Sequence, residues 1–229
     1  MPFRKKSSEL SWERIVALHQ QGGDVSRACV DIFRTIFLDE TNADAKTFLF
    51  TSAIEAEGKT TMALHFAAML ATKGKRILLV DVHWRRPSLD RIFGVAERPG
   101  LGDLVETGEG HEESPVQDSR LPQLFVLPRG TRNTDLLDGA ARERLGAFLQ
   151  RQRREFDFVF LDAAPTASGP EVLLLNPMVD GVLLVVACDR TQRAQVAAAR
   201  RAIETRAGKL VGVVLNRVPS YLPAYYRTV

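Results

Sequence analysis

The chain has 229 residues, 45% of them hydrophobic and 26% charged, which is typical of a globular protein that closes its own core. A formal net charge of +3 is too small to indicate a nucleic-acid partner, and we expect none. No apolar stretch follows the basic residues near the N-terminus, and polar residues interrupt the most apolar segment, 171–188, so we expect neither a secretory signal nor a membrane-spanning helix.

Two amphipathic helices are predicted ahead of the first strand. Apolar residues recur at helical spacing over 11–21, where two glycines end the pattern, and again over 25–37 behind a capping Asp24. We interpret residues 1–45 as an N-terminal helical segment.

From residue 46 the pattern changes to short apolar runs separated by helical segments. Strands are predicted over 47–51, 76–81, 124–127, 156–161, 181–187 and 210–215, and helices over 60–72, 141–153 and 191–206. The polar segment 106–122 is expected to be a surface loop. Because apolar strands alternate with helices, we predict an α/β fold with a doubly wound, mainly parallel sheet. We assign the sheet to residues 46–216 and a C-terminal tail to residues 217–229, all within one globular domain.

The loop after the first predicted strand contains Gly58-Lys59-Thr60, the second half of a phosphate-binding P-loop. It stands between a strand and a helix, where the helix N-terminus and backbone N–H groups can face phosphates. Lys59 is expected to reach the β- and γ-phosphates of ATP, and Thr60 to give its hydroxyl to Mg²⁺. The general motif begins with a glycine where this chain has Ala53.

Two aspartates, Asp81 and Asp162, come at the ends of predicted strands. The carboxyl ends of parallel strands meet at one edge of the sheet, where ligands bind in such folds. We therefore predict that Thr60, Asp81 and Asp162 bind Mg²⁺, the last usually through water. Lys59 and the two aspartates are the predicted catalytic residues.

Isolated cysteine and histidine residues are interpreted as packing residues. Cys29 and Cys188 lie in unrelated contexts without metal-ligand spacing, and we expect both to be buried in a reduced compartment. His65 is expected to pack inside the protein, whereas His19 is expected to be exposed.

Several segments together resemble the bacterial tyrosine kinases of polysaccharide export, in the MinD and ParA branch of P-loop NTPases. They are Thr51-Ser52, Ala56-Glu57-Gly58-Lys59-Thr60-Thr61, Asp81-Val-His-Trp-Arg85-Arg86-Pro87-Ser88-Leu89, Asp162-Ala-Ala-Pro165 and Gly212-Val-Val-Leu-Asn216-Arg217. The resemblance, which runs from about residue 24 to the C-terminus, implies a nucleotide site formed by Glu57, Gly58, Lys59, Thr60, Thr61 and Asn216, the last against adenine. It also implies that the γ-phosphoryl group of ATP is transferred to Tyr221, Tyr225 and Tyr226.

The resemblance further implies a partner, a membrane-embedded polysaccharide co-polymerase that regulates chain length in exopolysaccharide or capsule synthesis. The chain is then expected to be cytoplasmic and recruited to the inner face of the membrane by that partner. The family assembles into a homo-oligomer through Glu-x-x-Arg-x-x-Arg, but this chain has Ala28, Asp31 and Arg34 at those positions. Because Asp31 reverses a charge, the oligomer is expected to be weakened.

Two departures from the family pattern bear on catalysis. His83 replaces the second aspartate of Asp-x-Asp, and a neutral imidazole supplies no anionic oxygen beside Mg²⁺. It could instead act as a base with a pKa near the usual 6.5. Ala56 replaces a loop glycine, which costs about 1 kcal/mol if φ must be positive.

Three functions therefore stay open. The first is a tyrosine autokinase, and the second is a pseudokinase, an ATP-responsive binding module of a co-polymerase. The third is a MinD- or ParA-type positioning ATPase, which predicts an activating lysine that residues 53–56 do not contain.

Overall fold

In this computed structural model the chain is described over residues 12–37, 44–107, 115–132 and 136–219. The helices are α1 (Trp12–Gln21), α2 (Asp24–Phe37), α3 (Lys59–Ala71), α4 (Leu89–Phe93), α5 (Leu101–Thr107), α6 (Gly139–Glu155) and α7 (Arg193–Thr205). The strands are β1 (Thr47–Ser52), β2 (Ile77–Val82), β3 (Gln117–Asp118), β4 (Leu124–Leu127), β5 (Phe158–Ala163), β6 (Gly181–Ala187) and β7 (Leu210–Asn216).

The described strands form one sheet in the order β3-β4-β2-β5-β1-β6-β7. Every neighbouring pair is parallel except β3 and β4, which are antiparallel. Helices cover both faces, so the predicted doubly wound α/β fold is confirmed. The short β3 was not predicted: the segment expected to be a surface loop contains this edge strand, paired with β4. β5 also begins and ends two residues later than predicted.

The inner apolar strands β1, β2, β5 and β6 are buried on both sides, as their composition predicts, whereas the edge strand β7 exposes Val213 and Leu215. Phe48 and Phe50 of β1 belong to a core that they share with α1, α2 and α3. Leu49 lies between them in sequence and belongs to the opposite core, with α5, α6 and α7. Alternation along the strand therefore supplies both layers at once.

The N-terminal helices pack on α3 rather than standing apart from the sheet domain. Ile15 of α1 and Ile36 of α2 are buried in the same core as Phe66 of α3. The exposed position predicted for His19 is wrong, because its side chain is 6% exposed and contacts His65. His65 is buried, as predicted.

The most apolar segment divides into two short elements. A 3₁₀ segment spans Pro170–Met178, and β6 follows it. Within the described ranges, no helix combines the length and the apolar character required to cross a bilayer.

Candidate nucleotide-binding site

The loop between β1 and α3 lies at the edge of the sheet where the parallel strands end. Gly58 precedes α3 with a left-handed φ of 96° and has no side chain to cap the helix. The N–H groups of the first turn of α3 are thus left for a ligand, and the helix dipole makes this end partly positive. Lys59, the first residue of α3, is buried beside them. This arrangement is typical of a phosphate site.

The carboxylate of Glu57 is fully buried and holds the loop in shape. One oxygen accepts a hydrogen bond from the Ile54 N–H at 2.8 Å. The other accepts from the Ala187 N–H at 3.0 Å and from the Thr191 hydroxyl. The side chain predicted as part of the nucleotide site therefore connects the loop to β6 and the segment after it, while the backbone of Glu57 remains in the loop.

Asn216, at the end of β7, fastens the same loop from the other side. Its side-chain amide donates to the carbonyl oxygen of Glu57 at 2.8 Å. A Cβ added at Gly58 would lie 2.2 Å from this amide nitrogen. Gly58 is therefore required both by its φ and by the close approach of Asn216.

Ala56 has a positive φ of 59°, in the left-handed region that favours glycine. The strain predicted for this replacement is thus present in the loop. Arg190 donates to the Ala56 carbonyl at 3.0 Å, an additional contact that holds the segment.

Thr60 and Asp162 are joined directly. The Thr60 hydroxyl donates to one oxygen of Asp162 at 2.7 Å. The other oxygen of Asp162 is buried without a hydrogen-bond partner among the described residues. A buried carboxylate oxygen in this state is costly unless a cation or a donor reaches it. Mg²⁺ prefers hard oxygen ligands, so Thr60 and Asp162 fit this ion.

The ionisation of Asp162 is strongly perturbed. Burial, and after it the neighbouring carboxylate of Asp81, raise the pKa of Asp162 to about 7, against the opposing effects of Lys59 and Thr60. The two aspartates are direct partners in the β2–β5 register. Two carboxylates held this close favour a proton or a metal ion between them.

The side chain of Asp81 binds the backbone of the loop that leads from β2 to α4. Its oxygens accept backbone hydrogen bonds from His83 at 3.0 Å, Ser88 at 2.8 Å and Leu89 at 3.0 Å. Burial raises the pKa of Asp81, and these hydrogen bonds oppose that shift. A metal ion could bind Asp81 only through carboxylate lone pairs that do not already accept these backbone hydrogen bonds.

His83 is buried, and its Nδ1 accepts a hydrogen bond from the Arg86 N–H at 3.1 Å. Burial, reinforced by the positive charge of Lys59, lowers the pKa of His83 to about 4. The ring is therefore neutral at pH 7, with its proton on Nε2 because Nδ1 is an acceptor. The structure does not support the role of a base with a pKa near 6.5.

The structure brings together most of the residues predicted for the site. Lys59, Thr60 and Asp162 meet at the start of α3, with Asp81 beside Asp162. Thr61 follows in the first turn of α3. The predicted phosphate acceptors lie outside the described residues: Tyr221, Tyr225 and Tyr226.

Sequence reasoning missed the residues that hold the P-loop in place. Thr191 and Arg190 contact it from the segment between β6 and α7. Their distance along the chain from Glu57 and Ala56 leaves no local pattern that could reveal them. The charged Arg190 after the end of a predicted strand was the one available signal.

Three comparisons with known proteins are informative. Tyrosine-protein kinase YwqD of Bacillus subtilis is 26% identical over 216 residues, which cover 94% of this chain and 91% of YwqD. Succinoglycan biosynthesis transport protein ExoP of Rhizobium meliloti is 30% identical over 213 residues, 84% of this chain but 26% of ExoP. The kinase domain of Escherichia coli tyrosine kinase ETK superposes with a TM-score of 0.79 at 17% identity, covering 91% of this chain and 83% of that chain. This last likeness shows the fold alone.

The sheet, the loop ahead of α3 and the Thr60–Asp162 pair define a P-loop nucleotide-binding domain. Residues 49–223 match the CobQ/CobB/MinD/ParA nucleotide binding domain. The chain belongs to that family, and the predicted resemblance to bacterial tyrosine kinases is confirmed by its relatives.

Proposed function

We propose that this protein is an ATP-dependent protein-tyrosine kinase that regulates exopolysaccharide or capsule synthesis. One observation supports the site: beside Thr60, at the helix that begins with Lys59, an oxygen of Asp162 has no hydrogen-bond partner in the part of the chain that the structure describes. The similarity to YwqD, named a tyrosine-protein kinase, along 94% of the chain supports the kind of reaction.

In this proposal Lys59 binds the β- and γ-phosphates of ATP, and the loop N–H groups of Glu57, Gly58, Thr60 and Thr61 surround them. Thr60 and Asp162 hold Mg²⁺, with Asp81 as a third candidate ligand. The ion supplies charge neutralisation along the phosphates. Asn216 fixes the loop through the Glu57 carbonyl and lies on the side proposed for adenine.

The proposed acceptors are Tyr221, Tyr225 and Tyr226. A bond forms between the phenolic oxygen and the γ-phosphorus, while the bond from that phosphorus to the oxygen of departing ADP breaks. The phenolic proton leaves to solvent or to a nearby base. Transfer of this kind depends on positioning and on the electrostatic field of the site, so Lys59, Asp81 and Asp162 are the proposed catalytic residues.

A pseudokinase is the second candidate, and His83 favours it. The neutral imidazole stands where the resembling kinases carry a second carboxylate, and the ring nitrogen that could accept a proton already binds the Arg86 N–H. Such a protein would bind ATP and report its presence to a partner without transferring phosphate.

We also propose that the chain works at the inner face of the membrane, in the cytoplasm, with a membrane-embedded polysaccharide co-polymerase. ExoP, named a transport protein of succinoglycan biosynthesis, matches this chain over 26% of its length. A homo-oligomer would use α2, where Ala28, Asp31 and Arg34 are exposed. The reversed charge at Asp31 makes this contact weaker than in the resembling kinases.

The test is incubation of the purified protein with Mg²⁺ and ATP labelled at its γ-phosphate, with nucleotide binding and tyrosine label both measured. Lys59→Ala removes the proposed phosphate ligand, and Lys73→Ala, at an exposed lysine, is the matched control. Label on the three tail tyrosines that disappears in Lys59→Ala alone supports the kinase. Binding without label, also in the presence of the partner's cytoplasmic segment, supports the pseudokinase. Absence of binding contradicts both.

A further inference from the structure

Three helices bring His19, Cys29 and His65 together in the core beneath the sheet. They come from α1, α2 and α3, all three side chains are buried, and their potential ligand atoms lie within 4.8 Å of one another. Nε2 of His19 is 3.0 Å from Nδ1 of His65. Nothing in the local sequence brings these residues close, since each is on a different helix.

Packing alone leaves this cluster poorly satisfied. The two rings share one hydrogen bond, and Nδ1 of His19 is buried without a hydrogen-bond partner among the described residues. A buried polar atom in that state costs free energy that an apolar residue would not. An ion between the rings would replace their single hydrogen bond and use Nε2 of His19, Nδ1 of His65 and Sγ of Cys29, whereas Nδ1 of His19 is not among these ligand atoms.

The spacing suits a tetrahedral metal ion. Zinc–nitrogen bonds of about 2.0–2.1 Å place two nitrogen ligands roughly 3.3 Å apart, and a zinc–sulfur bond of about 2.3 Å places sulfur roughly 3.6 Å from each nitrogen. The 3.0 Å separation of the histidine nitrogens requires an opening of a few tenths of an ångström. The 4.8 Å limit on the cluster includes the sulfur distance.

The ligand types select a borderline-soft cation. Zinc binds imidazole nitrogen and thiolate sulfur, the donors present here, whereas Mg²⁺ prefers oxygen ligands. Burial lowers the pKa of both imidazoles. That of His19 falls to about 4, because repulsion from His65, were both rings protonated, and from Lys73 adds to the effect of burial. Both rings are therefore neutral at pH 7 and able to bind a metal ion. Burial raises the pKa of Cys29 to about 12, so formation of the zinc–sulfur bond would have to displace the thiol proton, which is released to solvent.

We propose that His19, Cys29 and His65 form a binding site for a single Zn²⁺ ion that joins α1 and α2 to α3. His65 lies about 9 Å along α3 from Lys59, the first residue of the phosphate-binding helix. The ion thus fastens the N-terminal helices to the element that positions the nucleotide. The site is separate from the Mg²⁺ site, and its test does not depend on kinase activity.

The test is metal titration of untagged, chelator-treated full-length protein. Zn²⁺ is titrated against a chromophoric chelator, and Co²⁺ is used as a spectroscopic substitute. We expect one ion per chain, a near-ultraviolet thiolate-to-cobalt absorption band and the intense visible bands of a tetrahedral site. Cys29→Ser should lose the thiolate band and weaken Zn²⁺ binding by roughly tenfold or more. Cys188→Ser, at the half-buried second cysteine, should keep both.

His19→Gln provides an independent variant and decides the matter if Cys29→Ser does not fold. It should weaken Zn²⁺ binding by a similar factor and shift the visible cobalt bands. Zn²⁺ should also raise the unfolding temperature of the wild-type protein but not that of His19→Gln. Less than one ion per chain, a cobalt spectrum without the thiolate band, or affinity unchanged in the folded variants would overturn the proposal.

Discussion

Two loops start where buried parallel strands end, and they are held in different ways. The β1–α3 loop is shaped by the inward carboxylate of Glu57, which leaves Lys59 and Thr60 at the helix start for a ligand. The β2–α4 loop is shaped by Asp81, whose oxygens the backbone already uses, and His83 occupies the next position predicted for a carboxylate. In the first loop, Glu57 maintains the structure and Lys59 and Thr60 are left for a ligand. In the second loop, Asp81 both maintains the structure and is the proposed metal ligand. If the proposed roles hold, we expect substitutions in the two loops to affect nucleotide binding and phosphoryl transfer separately.

The largest expected effect is in the first loop. Glu57→Ala leaves the Ile54 and Ala187 N–H groups and the Thr191 hydroxyl without their buried acceptor. We expect the free energy of unfolding to fall by about 3 to 5 kcal/mol, because each lost partner costs about 1–3 kcal/mol. Urea denaturation measures this loss, and ATP binding should weaken with it.

Glu55→Ala is the matched control in the same loop, two residues earlier. Its side chain is exposed, so we expect a change within about 0.5 kcal/mol and little effect on ATP binding. Equal losses in the two variants would show that Glu57 does not organise the loop.

The next effect concerns the aspartates that connect the two loops. The folded-state pKa of Asp162 is about 7, above its usual 3.8, so the folded protein binds more protons than the unfolded chain between those values. Its contribution therefore lowers the free energy of unfolding as pH rises from about 4 to about 7, by roughly 4 kcal/mol shared with Asp81. In metal-free buffer, Asp162→Asn should remove this fall.

Urea denaturation of wild type and Asp162→Asn at a series of pH values checks the prediction. The difference in stability should move in favour of the variant as pH rises, and Mg²⁺ with ATP should restore the wild type most at high pH. Asp157→Asn, at a surface aspartate whose exposed side chain pairs with Lys75, should show no such trend. A constant difference for Asp162→Asn would contradict the raised pKa.

The third effect concerns His83 in the second loop and the rate of phosphoryl transfer. His83→Asp places a carboxylate where the resembling kinases have one, and we expect the rate of tyrosine labelling to rise about tenfold or more, equivalent to about 1.4 kcal/mol in the barrier. His83→Asn, which is polar but uncharged, should leave the rate within about twofold of wild type. If the two variants label tyrosine at the same rate, the histidine is not what limits transfer.

Most of the sheet was predictable because its strands are short apolar runs, and those in the middle of the sheet are buried on both faces. β4 and β6 begin and end where their composition predicts. β3 was not predicted because its two residues are polar and become a strand only through antiparallel pairing with β4. Local composition is enough to predict the core strands. An edge strand such as β3 depends on the neighbouring strand with which it pairs, which local composition does not reveal.

The residues of the site likewise fall into those that the sequence predicts and those that it does not. The Gly58-Lys59-Thr60 motif and the aspartates at strand ends could be placed from sequence, because parallel strands bring their ends to one edge. The burial of Glu57 could not, since its acceptor oxygens meet Ala187 and Thr191 from a distant part of the chain. The contact between His19 and His65 escaped prediction for the same reason: it depends on how helices pack, which periodicity does not specify.

The smallest effect tests how much strain the first loop tolerates. Ala56 has a φ of 59°, where a Cβ is unfavourable, so Ala56→Gly should raise the free energy of unfolding by about 0.5 to 1 kcal/mol, net of the extra freedom that glycine gives the unfolded chain. Ala53→Gly is the matched control: Ala53 is buried and has no positive φ, so the same change should lower stability by about 1 kcal/mol. Thermal unfolding measures both. Stability changes of opposite sign in the two variants would show that the loop keeps its binding shape at the cost of local strain at Ala56. Changes of the same sign would show that the strain is relieved elsewhere. The two loops would then differ less than their contacts indicate.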